Sequence, residues 1–444
     1  MTSTISAVHD VVGIGIGPSN LSAAALLDGI PDISAVFFER SDTFAWHPGL
    51  MFRDALLQTS FLKDLVTFAD PTNPHSFINF LHATRRLHQF INADFERVTR
   101  SEFSEYMAWV ASRLPDLRFG REVRELRLQN DMFVARIDPN VEVCSRHVIV
   151  GVGRRPHVPS CATAHLGHTV FHAGAFLHRV PPIPRGAVTI VGGGQSAAEI
   201  FLHFIRNAGE LTAITWVTRR DNFAPLDETP FTNDYFTPLY ARYFFDLDLE
   251  RRLALIAAQK LASDGISPST LKEIYQEIYR AKYVEKRGLV LNLFVEHELV
   301  ALDRTGRGWE ATIADARSGA RRPVRSDLVV LATGYDNGLP PALDGLRHLL
   351  EFEGDMPRLR SDFSAAWRVP SRNRLYLQNA GRRSHGIADP NLSLLAWRSA
   401  TIVNSLVGYE RFLLPQTEEL IHRVPAGLHA VTHSPVHQPL EQIA

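Results

Sequence analysis

Residues 11–20, VVGIGIGPSN, join an apolar strand pattern to an apolar helix pattern through three closely spaced glycines. Such a turn bends sharply and lets a pyrophosphate approach the N–H groups at the helix N-terminus. The next strand pattern ends at Glu39, where a carboxylate can accept hydrogen bonds from a ribose. The predicted contacts of a first dinucleotide are therefore Gly13, Gly15, Gly17, Pro18, Ser19, Asn20 and Glu39.

A second turn of the same kind, VTIVGGGQSAAE, lies at residues 188–199. Its predicted dinucleotide contacts are Gly192, Gly194, Gln195 and Ser196. The strand pattern that follows ends at Arg219 and Arg220, and paired arginines suit the 2′-phosphate that distinguishes NADPH from NADH. Two solvated arginines at a strand end are the alternative interpretation. A chain that binds two dinucleotides can pass a hydride from one to the other.

The order of the patterns predicts an α/β fold with two Rossmann-like dinucleotide-binding domains and a small helical substrate-binding insertion. Strand patterns at 147–156 and 327–335 each stop at a glycine turn, the second at Thr333, Gly334 and Tyr335. They resemble the strands that close the two nucleotide domains in flavin-disulfide-reductase-like folds. Two ordinary buried strands are the alternative. The predicted bounds are 1–180 and 334–444 for the first domain, 181–221 and 289–333 for the second, and 222–288 for the insertion. The tail after residue 421, rich in His and Pro, is expected to be disordered.

Composition excludes several other classes of protein. The chain of 444 residues carries 47 Lys and Arg against 48 Asp and Glu, so no overall charge favours nucleic acid or an anionic membrane. Its only cysteines, Cys144 and Cys161, lack the spacing of a metal site or a disulfide framework, which fits a reducing cytosol. We also find no signal-peptide pattern and no apolar run long enough to span a bilayer, and therefore expect a cytoplasmic protein.

Several segments outside and around the glycine turns together resemble one enzyme family. They are residues 44–51 (FAWHPGLM), 57–66 (LQTSFLKDLV), 70–77 (DPTNPHSF), 192–197 (GGGQSA), 331–335 (LATGY) and 384–388 (SHGIA). In this order they are similar to the flavin-dependent N-hydroxylating monooxygenases of siderophore biosynthesis, which act on lysine, ornithine or diamines. The resemblance extends from the first strand to about residue 408.

The resemblance implies FAD at the first turn and NADPH at the second, with O₂ and a small-molecule amine as substrates. In that family NADPH reduces the flavin, which forms a C4a-hydroperoxide with O₂, and the neutral terminal amine attacks its distal oxygen. Such a site must exclude water and keep the amine unprotonated. No catalytic metal is expected, because the cofactor carries the redox chemistry.

The resemblance also implies roles for individual residues. Trp46 and His47 would lie against the flavin, and Gln58 and Asn233 would be the catalytic contacts, near NADP⁺ and the substrate. Lys63 would pair with a substrate carboxylate, while His385, Leu392 and Ser393 would border the flavin and the substrate. Each of three residues also has a simpler interpretation. Lys63 would be a lysine at a helix start, Asn233 an ordinary turn asparagine and His385 a structural histidine.

The sequence predicts the identity of the substrate less precisely than the type of reaction. Residues 279–284 (YRAKYV) lack the asparagine of ornithine hydroxylases, which argues against ornithine. Residues 98–103 (VTRSEF) and 259–266 (QKLASDGI) are most similar to aerobactin-type lysine N6-hydroxylases. We therefore expect the substrate to be L-lysine or a related diamine, cadaverine or putrescine, with histamine or ornithine as alternatives. The resemblance also implies a homo-oligomer, either a dimer or a tetramer. A Baeyer-Villiger or sulfur-oxidising monooxygenase fits poorly at 171–175, and a redox-sensing protein without catalysis is the remaining alternative.

Overall fold

The structure, a computed structural model, describes residues 4–137, 141–181, 185–306, 308–414 and 420–423. The tail for which the sequence predicts disorder lies outside the described residues from 424 onward. The strands in chain order are β1 (Thr4–Ile14), β2 (Ala35–Phe38), β3 (Leu117–Arg118), β4 (Val123–Gln129), β5 (Met132–Ile137), β6 (Val141–Val150), β7 (Arg155–Pro156), β8 (Val170–His172), β9 (Arg185–Val191), β10 (Glu210–Val217), β11 (Val290–Phe294), β12 (His297–Thr305), β13 (Gly308–Asp315), β14 (Arg321–Ser326), β15 (Leu328–Leu331), β16 (Tyr335–Asp336), β17 (Phe352–Glu353), β18 (Met356–Pro357) and β19 (Leu375–Leu377).

Helices cover and connect these strands. They are α1 (Pro18–Leu27), α2 (Phe77–Ala83), α3 (Leu87–Ala93), α4 (Arg100–Ala111), α5 (Ser160–Thr163), α6 (Phe176–Arg179), α7 (Gln195–Arg206), α8 (Pro238–Phe245), α9 (Leu249–Ala258), α10 (Lys260–Asp264), α11 (Pro268–Tyr279), α12 (Arg382–His385) and α13 (Leu395–Val407). Shorter 3₁₀ segments occupy Pro48–Leu50, Ala173–Ala175, Thr232–Phe236, Pro341–Leu349 and Leu392–Leu394, and a π-helical turn, Arg280–Val284, follows α11. Within the described part of the chain, each helix is too short or too polar to cross a lipid bilayer.

Two sheets carry the two glycine turns. The first has seven strands in the order β3-β2-β1-β6-β5-β4, with β19 beside β6, and its turn follows β1. The second has five parallel strands in the order β11-β10-β9-β15-β8, and its turn follows β9. All four residues of β15 are buried, as expected for a parallel strand covered on both faces. The two Rossmann-like units of the predicted α/β fold are thereby confirmed.

Apolar spacing explains how helices pack on these sheets. In α7 the fully buried residues are Ala197, Ala198, Ile200, Phe201, Phe204 and Ile205, which share one face at helical spacing. That face packs into the same core as Ile190 of β9 and Trp216 of β10. The helix therefore begins directly at the second glycine turn and is held rigidly against the sheet.

The boundary between the two units differs from the predicted domain bounds in the placement of one strand. Strand β8 lies inside the range 1–180, but it pairs in parallel with β15 of the second sheet, so the second sheet reaches back to residue 170. The predicted helical insertion contains four α-helices, α8 to α11. Gln259 separates α9 from α10.

Two antiparallel strands form the crossing between the units. Tyr335 of β16 pairs with Pro156 of β7, and Asp336 pairs with Arg155. The His157 N–H donates to the carbonyl oxygen of Gly334 at 2.9 Å, and the Thr333 hydroxyl donates to the carbonyl of His157. Residues 333–335, predicted as dinucleotide contacts, thus also hold the two crossing segments side by side.

Candidate functional site

The first glycine turn leaves no room for a side chain at Gly15. Gly15 has φ +85°, and a Cβ there would lie 2.8 Å from the carbonyl oxygen of Gly151. Gly17 is the N-cap of α1 and Pro18 is its first residue, and no described side chain caps this helix. The N-terminal N–H groups of α1 therefore remain available to a phosphate, which is the chemistry that a dinucleotide requires.

Glu39 lies beside this turn, as the sequence predicted for a ribose contact. Its Oε2 accepts the N–H of Ile16 at 2.9 Å, and its Oε1 accepts the N–H of Ser41 at 3.0 Å. The carboxylate is half-buried and fixed by two backbone donors. It retains acceptor capacity for a hydroxyl, because each carboxylate oxygen can accept more than one hydrogen bond.

A buried polar cluster supports α1 from behind. The Arg398 guanidinium forms an ion pair with Asp389 at 3.1 Å and donates to the Ser19 hydroxyl at 3.1 Å. Gln378 donates to Oδ1 of Asn20 at 2.9 Å, while the Asn20 amide donates to the carbonyl of Gly15 at 2.8 Å. Ser19 and Asn20, predicted as cofactor contacts, therefore direct their side chains to protein groups.

The segment that contains Trp46 and His47 lies between the two units. His47 adopts the left-handed region at φ 46°, and its ring centroid lies 5.6 Å from that of Trp46. The following 3₁₀ turn packs so closely on the second unit that a Cβ at Gly49 would lie 2.1 Å from the Gly174 carbonyl oxygen. The side chain of His47 is partly open to solvent, yet desolvation by the surrounding protein, together with the charge of Arg100, lowers its pKa. It is therefore neutral at pH 7.

Gln58 belongs to a network that joins all three parts of the molecule. It donates to the Ser267 hydroxyl at 3.1 Å, and the Ser267 N–H, just before α11, donates to Gln195 Oε1 at 2.8 Å. Gln195 also donates to Glu199 at 2.8 Å, and Glu199 pairs with Arg100 of α4 at 2.7 Å. The Gln195 side chain is thus used by protein partners, whereas Ser196 is half-buried at the opening of α7.

Lys63 is presented by a loop that Asp64 fixes. Asp64 is buried and accepts the N–H of Phe77 at 2.6 Å and of Thr67 at 2.7 Å. Lys63 itself is half-buried, and burial is the cause that lowers the pKa of its ammonium group. No carboxylate in the described part of the chain forms an ion pair with it within 4 Å, so it is the kind of cation that accepts an anionic ligand.

Three further predicted contacts, one to the cofactor and two to the substrate, lie in two 3₁₀ segments of the chain. Asn233 is exposed in the 3₁₀ turn Thr232–Phe236 of the insertion. Leu392 is half-buried and packs on the core of the first unit. Ser393 is buried and donates through its hydroxyl to Asn391 at 2.8 Å. Only Asn233 among these three is open to solvent.

His385, predicted to border the flavin, lies in the core of the protein. It is buried, stacks on Phe363 with ring centroids 4.0 Å apart, and contacts the Ser384 hydroxyl at 2.9 Å. Desolvation lowers its pKa to about 4, against the opposing attraction of Asp389. His385 is therefore a neutral core histidine at pH 7.

We expect His385 to make the protein acid-sensitive. The unfolded chain takes up this proton near pH 6.5 and the folded chain only near pH 4, so stability falls by about 3 kcal/mol as the pH drops through that window. Urea unfolding of His385→Gln should lose this part of the pH dependence, whereas His88→Gln, at an exposed site, should retain it. Equal pH profiles for wild type and His385→Gln would contradict the assignment.

The second glycine turn is equally tight. Gly192 has φ +142°, and a Cβ there would lie 2.0 Å from the Ala332 carbonyl oxygen. Below the turn, the Trp216 indole N–H donates to the Gly192 carbonyl at 2.7 Å. Gly194 is the N-cap of α7, and no described side chain caps that helix either. This turn therefore also fits the pyrophosphate of a dinucleotide.

The two arginines after β10 point in different directions. Arg219 is 70% exposed and pairs only loosely with Glu298 at 3.4 Å. Arg220 is half-buried, and its Nη2 donates to the carbonyl oxygen of Asp264 at 2.8 Å. The pair predicted from the sequence is thus divided, and Arg219 alone extends beyond the strand end into solvent.

Sequence reasoning missed the residues that hold these sites from a distance. They are Asp64, Arg100, Glu199, Ser267, Gln378, Asp389 and Arg398. Most carry no local signal, because their partners lie far away along the chain. Arg398 is the exception, since it is the one charged residue of helix α13 and could have been recognised as a buried, partnered cation.

Comparison with known proteins agrees with this geometry. A family model described as L-lysine 6-monooxygenase/L-ornithine 5-monooxygenase matches residues 7–337. The chain is 37% identical over 416 residues to the L-lysine N6-monooxygenase of Escherichia coli, covering 93% of this chain and 97% of that protein.

Solved structures give the same result. The FAD-bound cadaverine monooxygenase of the desferrioxamine pathway from Erwinia amylovora superimposes with a TM-score of 0.88 at 27% identity, covering 96% of this chain and 100% of that one. The ornithine N-hydroxylase of Kutzneria sp. 744, solved with reduced FAD, NADP⁺ and L-ornithine, gives 0.85 at 28% identity, covering 90% and 99%. The resemblance seen in the sequence is confirmed. The chain belongs to the L-lysine 6-monooxygenase/L-ornithine 5-monooxygenase family of flavin-dependent N-hydroxylating monooxygenases.

Proposed function

We propose that this protein uses FAD and NADPH to hydroxylate the terminal primary amine of L-lysine or of a related diamine, cadaverine or putrescine, and that the product enters hydroxamate siderophore biosynthesis. The observation that carries the proposal is Lys63, a half-buried ammonium group that lacks a carboxylate partner among the described residues. An amino-acid substrate supplies such a partner through its α-carboxylate. Family membership supports the reaction type and argues against the Baeyer-Villiger alternative.

The cofactors divide between the two turns. FAD is proposed to lie against the first turn, Glu39, Trp46 and His47, with Leu392 and His385 in the segment behind it, and NADPH against the second turn, Arg219 and Arg220. Thr333, Gly334 and Tyr335 lie at the crossing between them. When bound, FAD takes up electrons from NADPH and supplies the activation of O₂.

The chain's own residues then position the amine. Gln58 and Asn233 are proposed to contact the nicotinamide and the substrate, and Lys63 and Ser393 the substrate. Burial beside NADP⁺ is proposed to disfavour the ammonium form of the reacting amine and so to keep it neutral. Packing of Trp46 on the apolar core, with its ring 6.1 Å from Phe103, supports exclusion of water from this side of the cleft.

A substrate panel tests the function. FAD-loaded protein is given NADPH and either L-lysine, cadaverine, putrescine, L-ornithine or histamine, and hydroxylamine and H₂O₂ are both measured. Hydroxylamine should form in proportion to NADPH with L-lysine or a diamine. Formation of H₂O₂ alone with every amine would contradict the proposal. The expected dimer or tetramer remains a prediction, which light scattering checks.

Arg219 should contribute to the preference for NADPH over NADH. Arg219→Ala should weaken NADPH binding about tenfold and leave NADH unchanged, because only NADPH carries the phosphate that an exposed guanidinium beyond the strand end can meet. Arg317→Ala, an exposed arginine paired with Glu296, is the matched control and should change neither affinity. An equal loss for both nucleotides in Arg219→Ala would exclude the 2′-phosphate as its partner.

A further inference from the structure

Three arginines from separate parts of the chain interact with one residue, Asp264, at the end of α10. Arg382 of α12 lies 3.3 Å from Asp264 Oδ2, and Arg220 donates to the Asp264 carbonyl oxygen at 2.8 Å. Arg154, between β6 and β7, lies close enough for its charge to interact with both Asp264 and Arg382. We call these four residues the Asp264 cluster.

The cluster lies directly beside the second glycine turn. The Asp264 carbonyl oxygen is 3.9 Å from the position that a Cβ would take at Gly194, the N-cap of α7. The side chain of Arg220 passes under the turn, with its Cδ 3.3 Å from the Cβ position of Gly193. The cluster and the uncapped N-terminus of α7 therefore face the same space.

The positive charge of the cluster is not balanced by the protein. The cluster combines three guanidinium charges with one carboxylate, and Asp336 is a second acid whose charge acts on Arg154. Two buried N–H groups, Arg154 Nε and Arg220 Nη1, have no hydrogen-bond acceptor among the described residues. Burial lowers the pKa of both guanidinium groups, and the charge of Arg382 lowers that of Arg154 further. Buried donors without acceptors are costly, which indicates that an anion completes the cluster.

We propose that Arg154, Arg220 and Arg382 bind the pyrophosphate of the nicotinamide dinucleotide, and that Asp264 competes with that pyrophosphate for Arg382. The inference rests on the proposed function, because it takes the second turn as the NADPH site. It adds a binding surface contributed by the crossing segment and by α12, which lie outside the second sheet. The insertion, through Asp264, then opposes nucleotide binding instead of supporting it.

Either the pyrophosphate or the 2′-phosphate of NADPH could supply the anion, and the position of the cluster favours the pyrophosphate. The glycine turn and α7 N-terminus that it faces are the elements that receive a pyrophosphate in dinucleotide folds. Arg219, directed to Glu298 instead of Asp264, is left for the 2′-phosphate. NADP⁺ and NAD⁺ share the pyrophosphate and differ in the 2′-phosphate, so they distinguish the two sources.

Calorimetric titration of FAD-loaded protein with NADP⁺ and with NAD⁺ tests the proposal. Arg382→Gln should weaken both nucleotides about tenfold or more, because a charge-assisted hydrogen bond is lost. Asp264→Asn should strengthen both roughly threefold to tenfold, since a competing charge is removed while the side-chain shape is kept. Arg383→Gln is the matched control, because Arg383 is the next residue of α12 but pairs with Asp355 at 2.9 Å, and it should change neither affinity.

The opposite expected effects of Arg382→Gln and Asp264→Asn on nucleotide affinity distinguish a role in binding from a purely structural role. If the ion pair only held the fold, Arg382→Gln and Asp264→Asn would weaken binding together, and that result overturns the proposal, as would no change in either variant. A loss confined to NADP⁺ would assign the cluster to the 2′-phosphate and also overturn it. Bound FAD, measured by absorbance, verifies that each variant is folded. If the variants behave as expected but no amine is hydroxylated, the proposed function fails while the cluster stands; if wild type binds neither nucleotide, both fail.

Discussion

Asp389→Ala should destabilise the protein by about 3–5 kcal/mol and weaken FAD binding. Asp389 and Arg398 are almost completely buried, with side-chain exposures of 0% and 2%, and removal of one partner leaves an uncompensated charge in the core. The same guanidinium donates to Ser19 in the first turn of α1. Because the Arg398 guanidinium would no longer be fixed, the substitution should also disturb the N-terminus of α1 at the proposed FAD site. Urea unfolding of the apoprotein and titration with FAD measure the two effects.

Two further variants make this test specific. Glu351→Gln breaks an ion pair with Arg358 whose side chains are 39% and 64% exposed, and it should cost less than about 1 kcal/mol. The double variant Asp389→Leu with Arg398→Met removes both buried charges and should recover part of the lost stability. If Asp389→Ala were no more destabilising than Glu351→Gln, the buried pair would not be the support of α1 that we describe.

Lys63→Ala should raise the KM for L-lysine roughly 10- to 100-fold while changing the KM for cadaverine far less. A charge-assisted hydrogen bond to a carboxylate of this kind contributes about 1.5–3 kcal/mol, and cadaverine has no carboxylate to lose. Lys272→Ala, at an exposed position of α11, is the control and should alter neither value. Steady-state rates of hydroxylamine formation for both substrates give the ratio of the two KM values.

The pH dependence offers a second check on Lys63. Burial lowers the pKa of its ammonium group, so the charge that binds a carboxylate is lost as the pH rises through that lowered pKa. The KM ratio of L-lysine to cadaverine should therefore increase with pH in the wild type and stay flat in Lys63→Ala. A ratio that rises equally in both proteins would place the titrating group elsewhere.

Local patterns were sufficient to predict the fold. The glycine turns, the apolar strands before them and the helices after them are encoded within about thirty consecutive residues each, where backbone sterics and apolar spacing dominate. The sequence placed the residues of β8 in the first domain, whereas the structure places them in the second sheet. The three residues match any buried strand, and only pairing with β15 decides which sheet they join. The roles of the predicted site residues remain predictions.

The site was less accessible to sequence reasoning because its side chains interact over long distances in the chain. Gln195 matches a dinucleotide motif, yet its amide is engaged by Ser267, 72 residues away. Arg219 and Arg220 are adjacent in sequence, but burial next to Asp264 turns one of them away from the strand end. A motif predicts where the backbone goes, whereas the direction of each polar side chain depends on partners that the motif does not contain.

The paired crossing strands β7 and β16 restrict how one unit can rotate on the other. Both connections pass through the same short ladder, in which Tyr335 pairs with Pro156 and Asp336 with Arg155. Two adjacent, hydrogen-bonded peptides can twist or bend together but cannot slide independently. Any rotation of the second unit on the first must therefore conserve the spacing between these two strands.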